Sequence, residues 1–221
     1  IQTAMVTDCT MMHMPGYGYA RGFNYVDFIR GHQWDSYYQP LPHDLDIDRF
    51  HRAVMEKNAD GQLMEIGTSQ VARMELNDYR PFRASWKTDE DQMAALTMKA
   101  GMKYIEEVDK SAPFFLWLDS FDPHEPWDPP SIWDPDLKCP YDPDYSGIEL
   151  INPVATLTEG YVNEEEARHV RMLYAEKITM VDKWIGKFID RLKELDLYDN
   201  SLIVFLSDHG EPLGDGEHGH G

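Results

Sequence analysis

Two stretches of this chain place groups able to transfer protons or bind metal directly after apolar runs. Residues 113–130 read PFFLWLDSFDPHEPWDPP, in which His124 stands between Pro123 and Pro126, two residues after Asp122. Near neutral pH an imidazole can protonate a leaving oxygen or hydrogen-bond a bound oxyanion. The flanking prolines fix the backbone and lower the entropy cost of holding the ring. A loop histidine bonded to a backbone carbonyl fits the motif equally well. The second stretch, SLIVFLSDHGEPLGDGEHGHG, closes the chain and sets Asp208 and His209 side by side after an apolar run, with Gly210 allowing the backbone to turn. A carboxylate oxygen and an imidazole nitrogen so placed suit a divalent cation. Glu211, His218 and His220 are further donors, the last two in a glycine-rich segment with a structural or substrate-loop role.

The elements needed to position these residues are legible in the pattern. Residues 3–7, TAMVT, and 114–118, FFLWL, read as short strands, the latter continuously apolar as in a parallel strand covered on both faces. Thr88-Asp89-Glu90-Asp91 has the form of an N-terminal cap before a helix over 89–110. Asn163 with Glu166 can cap a helix of about nine turns. Its stripe comprises Val170, Leu173, Tyr174, Ile178, Val181, Ile185, Ile189, Leu192 and Leu195. Asp199-Asn200 turns the chain into SLIVFLSD, a second buried strand. Residues 43–58 are a helix candidate, 59–87 read as irregular, and 120–158 form a proline- and aspartate-rich loop region longer than a connection requires. Strands alternating with helices, and site-like residues beyond the strand ends, predict an α/β sandwich with its active residues at the carboxyl edge of a largely parallel sheet. Trp117 and Trp127 are expected in core and loop packing, with Trp127 near enough to the histidine loop to line a pocket.

The chain has 221 residues, 42% of them hydrophobic, enough for one substantial domain or a large piece of one. Its formal charge of −20 argues against nucleic-acid backbones and anionic membranes as partners. An anionic substrate would need a metal or local basic groups to reverse that field. Cys9 and Cys139 form neither a C-x-x-C pair nor a disulfide framework, which leaves the compartment open. No apolar stretch is long enough to span a bilayer, and the start at Ile1 reads as the middle of a fold, so a fragment is expected.

Taken together, FDPHEPW, SDHGEPLGD and GYARGFNYVDFIRG resemble, in order, the middle section of a sulfatase of the alkaline phosphatase superfamily. The resemblance implies an alkaline-phosphatase-like α/β sandwich, truncated at both ends. It also implies one divalent cation, calcium most often with manganese and magnesium as alternatives, beside a formylglycine whose hydrated aldehyde attacks the sulfate sulfur. On this basis Asp208 and His209 would be metal ligands, and His124 would contact the sulfate or protonate the leaving oxygen. The expected substrate is a small-molecule or carbohydrate sulfate ester. A phosphonate monoester or phosphodiester hydrolase of the same superfamily and a non-catalytic ligand-binding module are the competing readings. Neither Cys9, followed by TMMH, nor Cys139, followed by PYDP, sits in the Cys/Ser-x-Pro-Ser-Arg motif that yields formylglycine. The nucleophile and the early paired aspartates are therefore expected upstream, and the 221 residues alone should be inactive. Asp8 and His13 lie where the family carries Lys-x-His and receive no role from the pattern.

Overall fold

The computed structural model describes residues 1–14, 16–31, 35, 46–83, 86–154, 160–211 and 213. In chain order its regular elements are β1 (Gln2–Thr7), β2 (Tyr25–Phe28), β3 (Met55–Lys57), β4 (Leu63–Glu65), α1 (Gly67–Arg83), α2 (Met93–Glu107), β5 (Phe114–Asp119), α3 (Pro130–Trp133) and α4 (Glu164–Glu194). They fall into two compact units. One comprises Ile1–Gln39, Ser85–Pro123 and Thr179–Leu206, the other Pro40–Ala84, His124–Ile178 and Ser207–Gly221.

The first unit is an α/β layer. Its sheet has the order β2-β1-β5 with both pairings parallel, β1 aligning Ala4 with Leu116 and Val6 with Leu118. The β-branched and aromatic content of QTAMVT and FFLWLD suits a pleated, packed surface. α2 and the second half of α4 supply the apolar partners. Ala94, Ala95, Met98, Met180, Val181 and Trp184 pack with Leu118, while Tyr104, Ile105, Val108 and Leu192 pack with Ala4, Phe114 and Leu116. Gly101 of α2 permits a close approach, since a Cβ there would lie 2.9 Å from a Leu118 methyl. β5 is closely packed on this face, while on the other Phe115 stacks with Phe23 at 6.2 Å between ring centroids. Phe115 and Trp117 there are 48% and 47% exposed, so the strand is not covered on both sides as its continuous apolarity predicts.

The caps act largely as the sequence predicts. Thr88 and Asp91 form a reciprocal capping box, but on a 3₁₀ turn over Asp89–Asp91, after which α2 begins at Met93 rather than at 89. Asn163 and Glu166 likewise exchange bonds, Asn163 N–H donating to Glu166 Oε2 and Glu166 N–H to Asn163 Oδ1, both at 2.9 Å.

Two predicted elements are absent. Residues 201–208 form no strand, and Leu202, Phe205 and Leu206 are 92%, 80% and 81% exposed. A buried strand needs a neighbour to complete its ladder, and none of the three sheet strands pairs with this segment. Within 43–58, the described residues hold a single 3₁₀ turn at Ile47–Arg49 and β3; residues 43–45 lie outside the described set. The stretch read as irregular contains β4 and the 17-residue α1.

The second unit is built around the first half of α4. Val170 and Leu173 pack with Phe50, Leu76, Trp127, Ile132, Cys139, Leu150 and Ile151. Val54, Ala72, Val154 and Tyr161 form a smaller cluster. β3 and β4 make an antiparallel hairpin whose turn is held by Asn58 Oδ1, which accepts from the Asp60 and Gln62 amides. Arg52 grips both oxygens of Glu166, its Nη1 donating to Oε2 at 2.8 Å.

That pairing makes stability depend on acid. The hydrogen bonds from Arg52 hold the Glu166 carboxyl below its ordinary value of 4.5, with burial opposing. A carboxylate depressed by folding contributes stability that is complete above its unfolded pKa and lost as pH falls through the lower folded value. Melting temperature is therefore expected to drop below about pH 4.5 in the wild type, and less steeply in Arg52→Met. Parallel slopes would remove this pair as the cause.

Candidate active site

The backbone leaving β5 is fastened before it reaches the histidine. Thr7 Oγ1 donates to Asp119 Oδ2 at 2.6 Å, and buried Asp8 accepts from the Phe121 amide at 2.6 Å and from Thr97 Oγ1 at 3.2 Å. Asp122, two residues before His124, is buried and accepts from the Ala94 amide, in the first turn of α2. It replaces the missing side-chain cap of Gln92. Asp8 and Asp122 are thus framework carboxylates that fix where the loop begins.

His124 belongs to the second unit and is half-buried. Its Nδ1 lies 2.8 Å from the Glu125 carbonyl oxygen and 3.4 Å from Glu125 Oε2. A carbonyl oxygen can only accept, so Nδ1 carries a proton, and the neutral ring keeps its lone pair on Nε2. The backbone-carbonyl contact that a bland loop histidine would make is present. Here it selects the tautomer, which leaves Nε2 as the atom that changes protonation.

Beyond His124 the loop is anchored in the core. Trp127 is 1% exposed, meets Tyr174 edge-on at 5.7 Å between ring centroids, and its amide donates to the Ile151 carbonyl. It is a core residue rather than a pocket wall. Asp128 is wholly buried between two cations, Lys177 Nζ at 2.8 Å from Oδ1 and Arg83 Nε at 3.0 Å from Oδ2. Lys177 also donates to the Pro126 carbonyl at 3.4 Å. Its neighbour Glu176 accepts from the Ser131 amide and hydroxyl at 3.0 and 2.6 Å. None of these anchors is evident from the motif, although one signal was present. Val170, Leu173, Lys177, Met180 and Trp184 follow strict three- and four-residue spacing, which puts the lysine on the buried stripe and leaves Ile178 41% exposed.

Asp208 and His209 lie in the same unit as His124, on an exposed segment rather than at a strand tip. Arg171 holds the segment onward by donating to the Leu213 carbonyl at 3.0 Å. His209 Nδ1 donates to the Gly210 carbonyl at 2.9 Å, and its Nε2 is 3.7 Å from Asp208 Oδ2. The Gly210 hydrogen bond raises the His209 pKa, aided against burial by the charges of Asp208, Glu211 and Glu125. With the His209 lone pair directed from Nε2 and a carboxylate oxygen beside it, the pair suits two positions of a divalent-cation shell, one nitrogen and one oxygen. Among the described residues no group of three or more His, Cys, Asp or Glu side chains is arranged to hold a metal. His218 and His220 lie outside the described residues.

His13 stacks on Phe28 with ring centroids 3.8 Å apart, and burial, then the Arg30 charge, lower its pKa. Both cysteines are free thiols. Burial raises Cys9 and pushes Cys139 up to about 11, so neither is a ready thiolate near neutral pH. Among the described residues no helix is long and apolar enough to cross a membrane.

A family model described as Sulfatase matches residues 1–221. An arylsulfatase of Clostridium perfringens is 32% identical over 124 residues, covering 51% of this chain and 25% of that protein. Mouse iduronate 2-sulfatase is 30% identical over 118 residues, 53% of this chain and 20% of its own. A multifunctional alkaline phosphatase superfamily protein of Trinickia caryophylli is 44% identical over 61 residues, 28% of this chain and 11% of its own. The matched stretches span a quarter or less of these relatives' own lengths.

Proposed function

The chain belongs to the sulfatase family, and from that premise we propose that it contributes the leaving-group side and part of the metal site of a sulfuric ester hydrolase. The observation that carries this reading is His124. It stands on a core-anchored loop with Nδ1 committed to the Glu125 carbonyl, so that Nε2 is the atom able to donate to a departing alkoxide oxygen. Protonation there removes the cost of expelling a basic alkoxide. Asp208 and His209 would hold a divalent cation, calcium by family resemblance. When bound, it neutralises charge on the sulfate and the developing oxyanion.

Cys9 and Cys139 lack the flanking residues for formylglycine, and burial raises both thiols. The proposal therefore takes its nucleophile, a formylglycine, from outside residues 1–221, and these residues alone should not turn over ester. A small-molecule or carbohydrate sulfate monoester is the substrate class. The match to a multifunctional superfamily protein supports a second reading, hydrolysis of phosphodiesters or phosphonate monoesters. Comparing turnover of an aryl sulfate, a sugar sulfate and an aryl phosphodiester by the enzyme containing this chain separates them. Sulfate turnover dominating is the expected result, phosphodiester turnover dominating selects the second reading, and no turnover of any ester defeats both.

A further inference from the structure

Lys177 is an anomaly in the core. It is 1% exposed on the apolar stripe of α4, where an aliphatic residue would pack without desolvating an ammonium. Its partners include Asp128 Oδ1 at 2.8 Å and the Pro126 carbonyl at 3.4 Å. The Pro126 carbonyl is one peptide unit from the Glu125 carbonyl, which receives His124 Nδ1. The ring of Pro126 fixes φ between those two carbonyls, which leaves ψ of Pro126 as the one soft torsion through which a displacement of one could be lost before reaching the other. A buried ion cluster is a weak source of stability, because apolar residues of similar volume commonly do as well. It is, however, an effective source of fixed geometry.

We propose that Lys177 is a positioning residue for His124, acting through the Pro126 carbonyl and Asp128 to hold the Glu125 carbonyl where it fixes the imidazole tautomer. Arg83 completes the charge of Asp128 from the far oxygen, 3.0 Å away. Glu176 holds Ser131 next to it, so one turn of α4 grips the loop at two points. The functional weight of this arrangement rests on the hydrolase reading above, but the geometry can be tested without it.

The test is the ring ¹⁵N spectrum of His124 in the 221-residue chain, assigned with His124→Gln and recorded where the ring is neutral. Wild type is expected to show the Nδ1–H tautomer. Lys177→Met should lose that preference and give an exchange-averaged pair of ring nitrogens, while Lys177→Arg, which keeps a donor and the charge, should retain much of it. Lys177→Met leaves Asp128 paired with Arg83 alone and can still unfold the chain, so Asp128→Asn/Lys177→Met, whose new side-chain amide oxygen can accept from Arg83, serves as a second variant without the ammonium. In that folded double variant the tautomer preference should still be lost. Ring shifts matching wild type in either folded variant lacking the ammonium would overturn the proposal, even if melting temperature fell. A chain whose parent enzyme hydrolyses no ester would defeat the hydrolase reading and leave the ring spectrum unaffected.

Discussion

Replacing His124 with glutamine is expected to lower hydrolysis of an alkyl or sugar sulfate by on the order of a hundred- to ten-thousandfold. Glutamine can occupy the half-buried position and bond a carbonyl, but its amide does not titrate. The defect should therefore fall on the proton delivered to the leaving oxygen. The size of the loss should track the leaving group: large for a sugar alkoxide, which cannot depart without a proton, and small for a nitrophenyl sulfate, whose phenolate leaves readily. The limb of the pH–rate profile that reports a required acid should disappear with the imidazole. An equal loss on both substrates, with that limb preserved, would instead make His124 a contact to the sulfate oxygens. Steady-state kinetics of the two substrates with the enzyme and the variant decide between these roles.

Trp127→Ala should cost about 3–5 kcal/mol of folding stability, a large share of the roughly 5–15 kcal/mol available to a domain. The side chain is 1% exposed within the cluster around Val170 and Leu173, and truncation leaves a cavity lined by rigid neighbours. Among the described residues the indole N–H has no hydrogen-bond partner, so none of them offsets its burial. Trp127→Phe, which deletes that N–H and keeps most of the apolar volume, should be much milder. Denaturant titration of the three proteins checks the order. A Trp127→Ala midpoint within experimental scatter of wild type would mean that the cluster repacks freely, against the packing described here.

The parts of the fold legible in the sequence are those specified locally. Asn163 and Glu166 lie three residues apart before an acidic first turn and a long apolar stripe, which is sufficient to define the start of α4. β5 announces itself by continuous apolarity and β1 by a short run of strand-forming residues, TAMVT. α1 is hidden because its buried contacts come from Ala72 and Leu76, while Val71 and Met74 are 51% and 62% exposed, so its apolar residues do not mark its inner face. The apolar run at 201–206 reports strand propensity, and propensity says nothing about whether a neighbour is there to receive it.

The site divides in the same way. His124 is conspicuous because two prolines enclose it, and Asp208-His209 because glycine follows. The framework role of Asp122 is not visible in the motif, because its partner, the Ala94 amide, lies 28 residues earlier in the chain. Lys177 is overlooked because a charged residue within an apolar stripe is normally assigned to the outer face, and the aliphatic Ile178 beside it takes its place in the pattern.

The contacts of Asp128 with Arg83 and Lys177 join α1, the histidine loop and α4, three segments distant in sequence. The complete cluster requires all three segments to have met, and such non-local contacts carry a large closure cost. Formation on the late, native side of the folding barrier is therefore expected, with Lys177→Met raising the unfolding rate more than it lowers the folding rate in stopped-flow measurements. A loop held in this way is expected to be secured by slow release as well as by position.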